Sequence, residues 1–121
     1  MANILVIDDD QSTRKLLRHV LEEARYTVFE AADGDQALRL ARQMPFNLII
    51  TDILMPERDG LEVIRQMKRE NPLVKIIALT GGGTYLGLET LQTAKDFGAI
   101  EAMAKPFDIH QLIDVVGKSI C

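Results

Sequence analysis

Four short apolar runs in this sequence each end at a polar residue. The runs are rich in Ile, Val and Leu, and stretches with helical periodicity separate them. Runs of this length and composition are typical of buried parallel strands. They occupy residues 4–7, 48–51, 76–79 and 102–104, and the polar residues that follow them are Asp8 and Asp9, Asp52, Thr80 and Lys105. Because parallel strands point the same way, we expect these polar side chains to gather at one edge of a sheet, where such sheets bind ligands.

The rest of the chain alternates between helical and extended patterns. A helix is predicted at residues 11–24, with Asp10 or Ser12 as its N-cap, and a further strand is predicted at residues 26–31. Gly98 fits the C-terminal end of a later helix. Five strand–helix units without repeats or linkers predict a doubly wound α/β fold around a five-stranded parallel sheet, in a single domain that spans all 121 residues. The order of the strands does not follow from this pattern.

Composition and charge disfavour several classes of function. Hydrophobic residues make up 47% of the chain, which is typical of a globular domain. The formal net charge is −4 and the basic residues form no block, which disfavours nucleic acid as a direct partner. No apolar run approaches the roughly 20 residues that a membrane span needs, and the first residues show no signal peptide. Because Cys121 is the lone cysteine, we expect neither disulfides nor a thiolate metal site, and we expect a cytoplasmic location.

The predicted cluster of carboxylates favours a divalent metal. Asp8, Asp9 and Asp52 would repel one another if they were brought together without a cation. A hard cation such as Mg²⁺ removes this cost, since it prefers oxygen ligands. A carboxylate beside such a metal can attack phosphorus and form an acyl phosphate. Lys105 would supply positive charge to the transferred group, and the Thr80 hydroxyl would donate a hydrogen bond to it.

Each of these features also has a simpler explanation. An Asp pair after a strand is often only a turn and a helix cap, and the dipeptide Lys105-Pro106 would by itself be a solvated turn. Features of that kind, if they were unrelated, would scatter between both ends of the strands. Their occurrence at the same end of four strands favours one shared site.

The motifs resemble the receiver domain of two-component response regulators along essentially the whole chain. The segments that carry the resemblance are residues 4–10, residues 48–56 with Asp59-Gly60, Thr80-Gly81 and Lys105-Pro106-Phe107. The resemblance implies the flavodoxin-like and CheY-like fold with strand order 2-1-3-4-5. It also implies a signalling switch that catalyses its own phosphorylation and has no external product, so we do not expect an enzyme in the usual sense.

The resemblance implies a role for each candidate residue. Asp52 would be the phosphoacceptor, Thr80 the switch hydroxyl and Lys105 the partner of the phosphoryl charge, acting on the phosphorylated state rather than on folding. The Mg²⁺ ligands would be Asp8, Asp9, Asp52 and the backbone carbonyl of Leu54. Of the acidic pair, we expect Asp9 to bind the metal directly and Asp8 to contribute mainly through bound water. Pro106 would follow a cis peptide bond, as is usual in this family.

The partners follow from the same resemblance. The phosphoryl donor would be a phosphohistidine of a sensor histidine kinase or of a histidine phosphotransfer protein. The switch would then control a downstream effector protein or a C-terminal output domain.

Two departures from the family pattern concern this output. Ala102 stands where the family often has Tyr or Phe, so the usual rotation of an aromatic ring cannot occur at that position. The glycine-rich segment at residues 81–87 is predicted to be a mobile loop, because ordering consecutive glycines costs backbone entropy.

The main alternative is a receiver-like module that binds a partner without phosphorylation. Loss of Asp52, Lys105 or an acidic-pair residue would favour it, and all of them are present. A flavodoxin-like FMN carrier would need a phosphate loop rich in Ser, Thr and Gly after the first strand, where this chain has carboxylates. A phosphatase of the haloacid dehalogenase type would need a second Asp at the position of Leu54.

Overall fold

Strands and helices alternate through the part of the chain that the structure describes. A computed structural model describes residues 2–53, 60–81 and 85–120. The strands are β1 (Asn3–Ile7), β2 (Thr27–Ala31), β3 (Leu48–Asp52), β4 (Ile76–Gly81) and β5 (Glu101–Lys105). The helices are α1 (Gln11–Glu23), α2 (Gly34–Gln43), α3 (Gly60–Glu70), α4 (Tyr85–Phe97) and α5 (Ile109–Ile120). Among the described residues, no helix combines the length and apolar character needed to cross a membrane.

The strands form one parallel sheet in the order β2-β1-β3-β4-β5. In this register Ile7 lies beside Thr51, and Asp52 lies beside Leu79. From β1 the chain continues to β2 on one side of the sheet, and from β3 it continues to β4 and β5 on the other side. The order of the strands therefore reverses between β1 and β3. The predicted doubly wound fold and the strand order 2-1-3-4-5 are both confirmed.

Side chains of successive strand residues enter two separate cores, one on each face of the sheet. In β1, Leu5 and Ile7 pack in one cluster while Ile4 and Val6 pack in the other, as the alternation of a strand requires. The first cluster includes buried residues of α2, α3 and α4, and the second includes buried residues of α1 and α5. Strand β3 is buried along its whole length, which explains its continuous apolar run.

Capping contacts set the helix starts beside the sheet edge. The Asp10 side chain accepts a hydrogen bond from the Ser12 N–H at 3.0 Å, so Asp10 and not Ser12 is the N-cap of α1. At the start of α2, the Asp33 side chain accepts from the Gln36 N–H at 2.8 Å. The Gln36 side chain also accepts from the Ala32 N–H at 2.7 Å, so the two side chains together satisfy two backbone donors at this helix start.

The region between α1 and β2 differs by one residue from the sequence prediction at each boundary. Helix α1 ends at Glu23, and β2 begins at Thr27 instead of at residue 26. The Tyr26 N–H donates to the Leu21 carbonyl of α1 at 3.1 Å, so it belongs to the end of the helix. Arg25, with a φ angle of 72°, turns the chain between the two elements.

The loop predicted at residues 81–87 is wrong in its bounds, because strand β4 and helix α4 both extend into this segment. Gly81 pairs in register with Lys105 and is the last residue of β4, because the parallel ladder between β4 and β5 continues to this point. Helix α4 already begins at Tyr85. Residues 82–84 lie outside the described residues, as do residues 54–59, which include the predicted carbonyl ligand at position 54.

Gly98 follows the last residue of α4, as predicted. Its φ angle is 127°, in the left-handed region that favours glycine. A Cβ atom at this position would also lie 2.7 Å from the Cγ atom of Lys68 in α3. The glycine therefore both ends the helix and allows α3 to approach it.

Candidate functional site

The predicted site residues come together at the carboxyl edge of the sheet. Asp8 follows β1, Asp52 ends β3, and Lys105 ends β5. Thr80 lies near the end of β4, one residue beyond Leu79, which is the register partner of Asp52. This edge lies at the reversal point between β1 and β3, where open parallel sheets bind ligands.

Backbone contacts bring Asp8 to this position as the chain leaves β1. Its N–H donates to the Ala31 carbonyl at 3.1 Å, which extends the pairing with β2 beyond the last strand residue. Its carboxylate then accepts a hydrogen bond from the Asp10 N–H at 2.9 Å. That local contact turns the chain toward α1 and holds the carboxylate at the sheet edge.

Three carboxylates form the acidic part of the site. Oxygen atoms of Asp8, Asp9 and Asp52 all lie within 4.8 Å of one another. Asp8 is 1% exposed and Asp52 is 6% exposed, whereas Asp9 lies at the surface. Buried like charges at this separation repel each other strongly, so positive charge nearby stabilises the ionised form of the cluster.

Lys105 provides positive charge between the two buried carboxylates. Its Nζ atom lies 2.8 Å from Asp8 Oδ2 and 3.3 Å from Asp52 Oδ2, and its side chain is only 23% exposed. Burial lowers the pKa of Lys105, but the hydrogen bond to Asp8 and the attraction of both carboxylates outweigh that effect and raise its pKa above the ordinary value. The ammonium form is therefore the stable one in this site.

Thr80 completes the set of predicted side chains at this edge. It is almost fully buried, and it lies beside Ala104 in the register of β4 and β5. On the same strand, Ala102 lies beside Ala78 of β4. The β5 residues at both of these register pairs are therefore alanines, and no aromatic ring stands at position 102. The peptide bond between Lys105 and Pro106 is cis, as the resemblance implied.

Two residues that the sequence did not single out for this site also contact it. The Gly60 N–H donates to the Ile53 carbonyl at 2.9 Å, and a Cβ atom on Gly60 would lie only 2.4 Å from the Asp52 carbonyl oxygen. Arg14 of α1 donates through Nη1 to the Asp8 carbonyl at 2.6 Å. Gly60 belongs to the family motif, but the sequence did not show why a glycine is needed there. A single Arg on a helix gives no sequence signal of such a contact.

The fold is that of a response regulator receiver. The model of the family described as "response regulator receiver domain" matches residues 4–117, and the chain belongs to this family. It is thus a receiver of the CheY type from two-component signal transduction, as the motifs predicted.

Individual relatives agree with this assignment. Sporulation initiation phosphotransferase F of Bacillus subtilis is 36% identical over 115 residues, which are 95% of this chain and 90% of that protein. The alkaline phosphatase synthesis transcriptional regulatory protein PhoP of the same organism is 37% identical over 113 residues, but the chain spans only 44% of its length. The structure of response regulator TrrA from Thermotoga maritima, in complex with Mg²⁺-BeF, is 33% identical with a TM-score of 0.87 and covers 98% of this chain and 99% of TrrA.

Proposed function

We propose that this receiver accepts a phosphoryl group on Asp52 in a reaction that requires Mg²⁺. The observation that carries the proposal is the cluster of Asp8, Asp9 and Asp52 with the Lys105 ammonium between its two buried members. Three carboxylates and one ammonium leave an excess of negative charge that a divalent cation would balance. The sheet edge thereby supports both parts of the chemistry, a metal site and a carboxylate nucleophile.

The donor set fits Mg²⁺. Carboxylate oxygens are the ligands that this ion prefers, and it commonly keeps several waters beside one or two carboxylates. Both carboxylate oxygens of Asp8 already accept hydrogen bonds, one from the Asp10 N–H and one from Lys105. This arrangement supports Asp9 as the direct ligand and Asp8 as a ligand mainly through bound water. Asp52 and the Leu54 carbonyl complete the proposed protein ligands, and the related TrrA receiver was crystallised with Mg²⁺-BeF.

The proposed transfer moves the phosphoryl group from a nitrogen to a carboxylate oxygen. An Oδ atom of Asp52 attacks phosphorus, the P–N bond of a phosphohistidine breaks, and its electron pair stays on the imidazole nitrogen. The products are an aspartyl phosphate and a histidine side chain. When bound, Mg²⁺ neutralises charge on the phosphoryl oxygens and so lowers the barrier to attack. In this proposal Lys105 and the Thr80 hydroxyl donate hydrogen bonds to the transferred group.

The partners in this proposal are signalling proteins. A sensor histidine kinase or a histidine phosphotransfer protein in the cytoplasm would supply the phosphohistidine. A downstream effector protein or an output domain would read the phosphorylated state. Hydrolysis of the aspartyl phosphate would reset the switch, so the receiver would release no product other than inorganic phosphate.

Intact-mass measurement after incubation with acetyl phosphate tests the proposal. We expect the wild type to gain one phosphoryl group in the presence of Mg²⁺ and none in the presence of EDTA. The adduct should be sensitive to hydroxylamine, as an acyl phosphate is. Asp52→Asn should not be labelled, because the amide is not a nucleophile for phosphorus.

Asp114→Asn is the matched control, since Asp114 is an exposed carboxylate of α5 that pairs only with Lys118 among the ion pairs of the described residues. It should label like the wild type. Equal labelling of Asp52→Asn would refute the assignment of the phosphoacceptor. A wild type that is never labelled would instead favour the alternative of a module that binds without phosphorylation.

A further inference from the structure

Arg14 contacts the backbone between the two acidic-pair residues. Its Nη1 atom donates to the Asp8 carbonyl oxygen at 2.6 Å, and its side chain is only 14% exposed. That carbonyl belongs to the peptide unit that joins Asp8 to Asp9. Because a peptide unit is planar, fixing its oxygen fixes the orientation of the whole unit, including the nitrogen of Asp9. The contact therefore limits where the Asp9 side chain can lie.

The guanidinium is itself held from the other side by β2. Arg14 Nε lies 3.1 Å from Glu30 Oε1, and the second oxygen of Glu30 lies 2.8 Å from Arg18 Nη1. The pKa of Glu30 is held below its ordinary value, chiefly by the hydrogen bond from Arg18 and further by Arg14, and burial opposes this effect. The carboxylate is therefore charged at neutral pH and balances the guanidinium. A fixed geometry of this kind is typical of Arg, which can donate to two acceptors at once.

Every polar group of Asp8 has a partner through these contacts. Its N–H donates to Ala31, its carbonyl accepts from Arg14, and its carboxylate accepts from the Asp10 N–H and from Lys105. Of the four contacts, the one from Arg14 is the only one to the peptide unit shared with Asp9. It is thus the contact through which α1 and β2 can set the position of the exposed acidic residue.

We propose that Arg14 is a positioning residue for the metal site and that it orients the Asp8–Asp9 peptide unit for binding of Mg²⁺. This inference rests on the proposed function, because it requires that the acidic pair binds the metal. Residues that orient metal ligands typically affect metal affinity by about 10-fold to 100-fold when they are replaced. Glu30 acts with Arg14 by orienting the guanidinium and balancing its charge.

Charge alone predicts the opposite effect, which makes the proposal easy to test. Removal of a positive charge near a cation site should strengthen Mg²⁺ binding, because repulsion is lost. Removal of a positioning contact should weaken binding. Arg14→Met keeps much of the aliphatic side chain and removes both the charge and the donor, so the sign of the change in affinity separates the two explanations.

The experiment is an NMR titration of the ¹⁵N-labelled protein with MgCl₂ alone. We expect Arg14→Met to bind Mg²⁺ about 10-fold more weakly than the wild type. Arg14→Lys, which can still donate to the carbonyl, should recover part of the affinity, and Glu30→Gln should lie between the wild type and Arg14→Met. The Asp9 amide resonance of the metal-free Arg14→Met protein should shift, because its peptide unit is no longer held.

Arg18→Met is the matched control, since Arg18 contacts the same carboxylate from the solvent side. It should bind Mg²⁺ like the wild type, while Asp9→Ala shows the effect of losing a ligand. Unchanged or tighter binding by Arg14→Met would overturn the inference while leaving the proposed function intact. A wild type that does not bind Mg²⁺ would refute both. If Arg14→Met does not fold, wild-type affinity in Glu30→Gln, which weakens the hold on the guanidinium, would overturn the inference.

Discussion

Replacement of Lys105 by Met should destabilise the metal-free protein. The sequence suggested that Lys105 acts on the phosphorylated state alone, but its ammonium bridges Asp8 and Asp52 at 2.8 Å and 3.3 Å. Both carboxylates are buried. Met preserves the unbranched apolar part of the side chain and removes the charge. The variant therefore leaves two buried carboxylates close together without the cation that separates them.

Two opposing contributions set the size of this effect. Removing one partner of a buried ion pair costs about 3–5 kcal/mol, because the other charge stays buried and unpaired. The desolvation cost of the half-buried lysine is recovered, and solvent reaches the site from the side of Asp9, which reduces the loss. We therefore expect the free energy of unfolding to fall by about 2–3 kcal/mol. For a domain of this length, the corresponding decrease in Tm is roughly 10 °C.

Urea unfolding followed by circular dichroism at neutral pH measures this loss. The full effect should appear in EDTA. Saturating Mg²⁺ should reduce it, because loss of the ammonium removes repulsion and lowers the Kd for Mg²⁺, and each 10-fold decrease in Kd adds about 1.4 kcal/mol of stability to the variant relative to the wild type. In the Lys105→Met background, Asp52→Asn should restore part of the lost stability by removing one of the two buried charges, which a double-mutant cycle would detect as coupling.

The control for loss of a lysine charge is Lys118→Met. Lys118 is 78% exposed and pairs with the exposed Asp114, so its replacement should change stability by less than about 0.5 kcal/mol. If Lys105→Met matched this control in EDTA, or if Mg²⁺ stabilised it no more than the wild type, the bridging role would be refuted.

Two further predictions concern backbone packing and pH. Gly60→Ala should lower stability by about 1–3 kcal/mol and reduce labelling of Asp52, because the added Cβ would lie 2.4 Å from the Asp52 carbonyl oxygen. Urea unfolding and the acetyl phosphate assay check this, and a variant with wild-type values in both would contradict it. The hydrogen bond from Arg42, and after it the one from Gln66, lower the pKa of Glu70 from 4.5 to about 2. The ionised Glu70 therefore contributes its full stability above its ordinary pKa of 4.5 and loses it as the pH falls toward 2. Arg42→Met should therefore flatten the dependence of Tm on pH over this interval, and parallel curves for variant and wild type would contradict the assignment.

The carboxyl edge of the sheet was predictable because two simple patterns determine it. The apolar runs before Asp8, Asp52 and Thr80 identified buried strands, and the parallel direction of those strands brought their ends together. Neither step needs knowledge of side-chain conformations. The strand order, by contrast, came from the family resemblance, because the helical connections permit several orders of a parallel sheet.

Contacts that depend on long side chains or on the path of a loop were not predictable in this way. The sequence does not indicate which backbone carbonyl Arg14 reaches, since that depends on the placement of α1 against β1 and β2. Nor does the sequence indicate that the Lys105 ammonium bridges Asp8 and Asp52 in the metal-free protein, because the burial of a long side chain depends on the packing around it. The length of the glycine-rich loop was overestimated because the β4–β5 ladder continues to Gly81, and strand pairing outweighs the intrinsic freedom of that residue.

The two carboxylates of the acidic pair differ in how firmly they are held. Asp8 is buried and accepts hydrogen bonds on both oxygens, so it contributes negative charge without having to move. Asp9 is exposed, which leaves it accessible to a cation from solvent. Lys105 meanwhile balances the buried charge when no metal is bound, and the same ammonium is within reach of a group added to Asp52. A phosphoryl group on Asp52 would compete with Asp8 for this ammonium, so phosphorylation should change the partners of Lys105 at the end of β5 and thereby the region where β5 leads into α5.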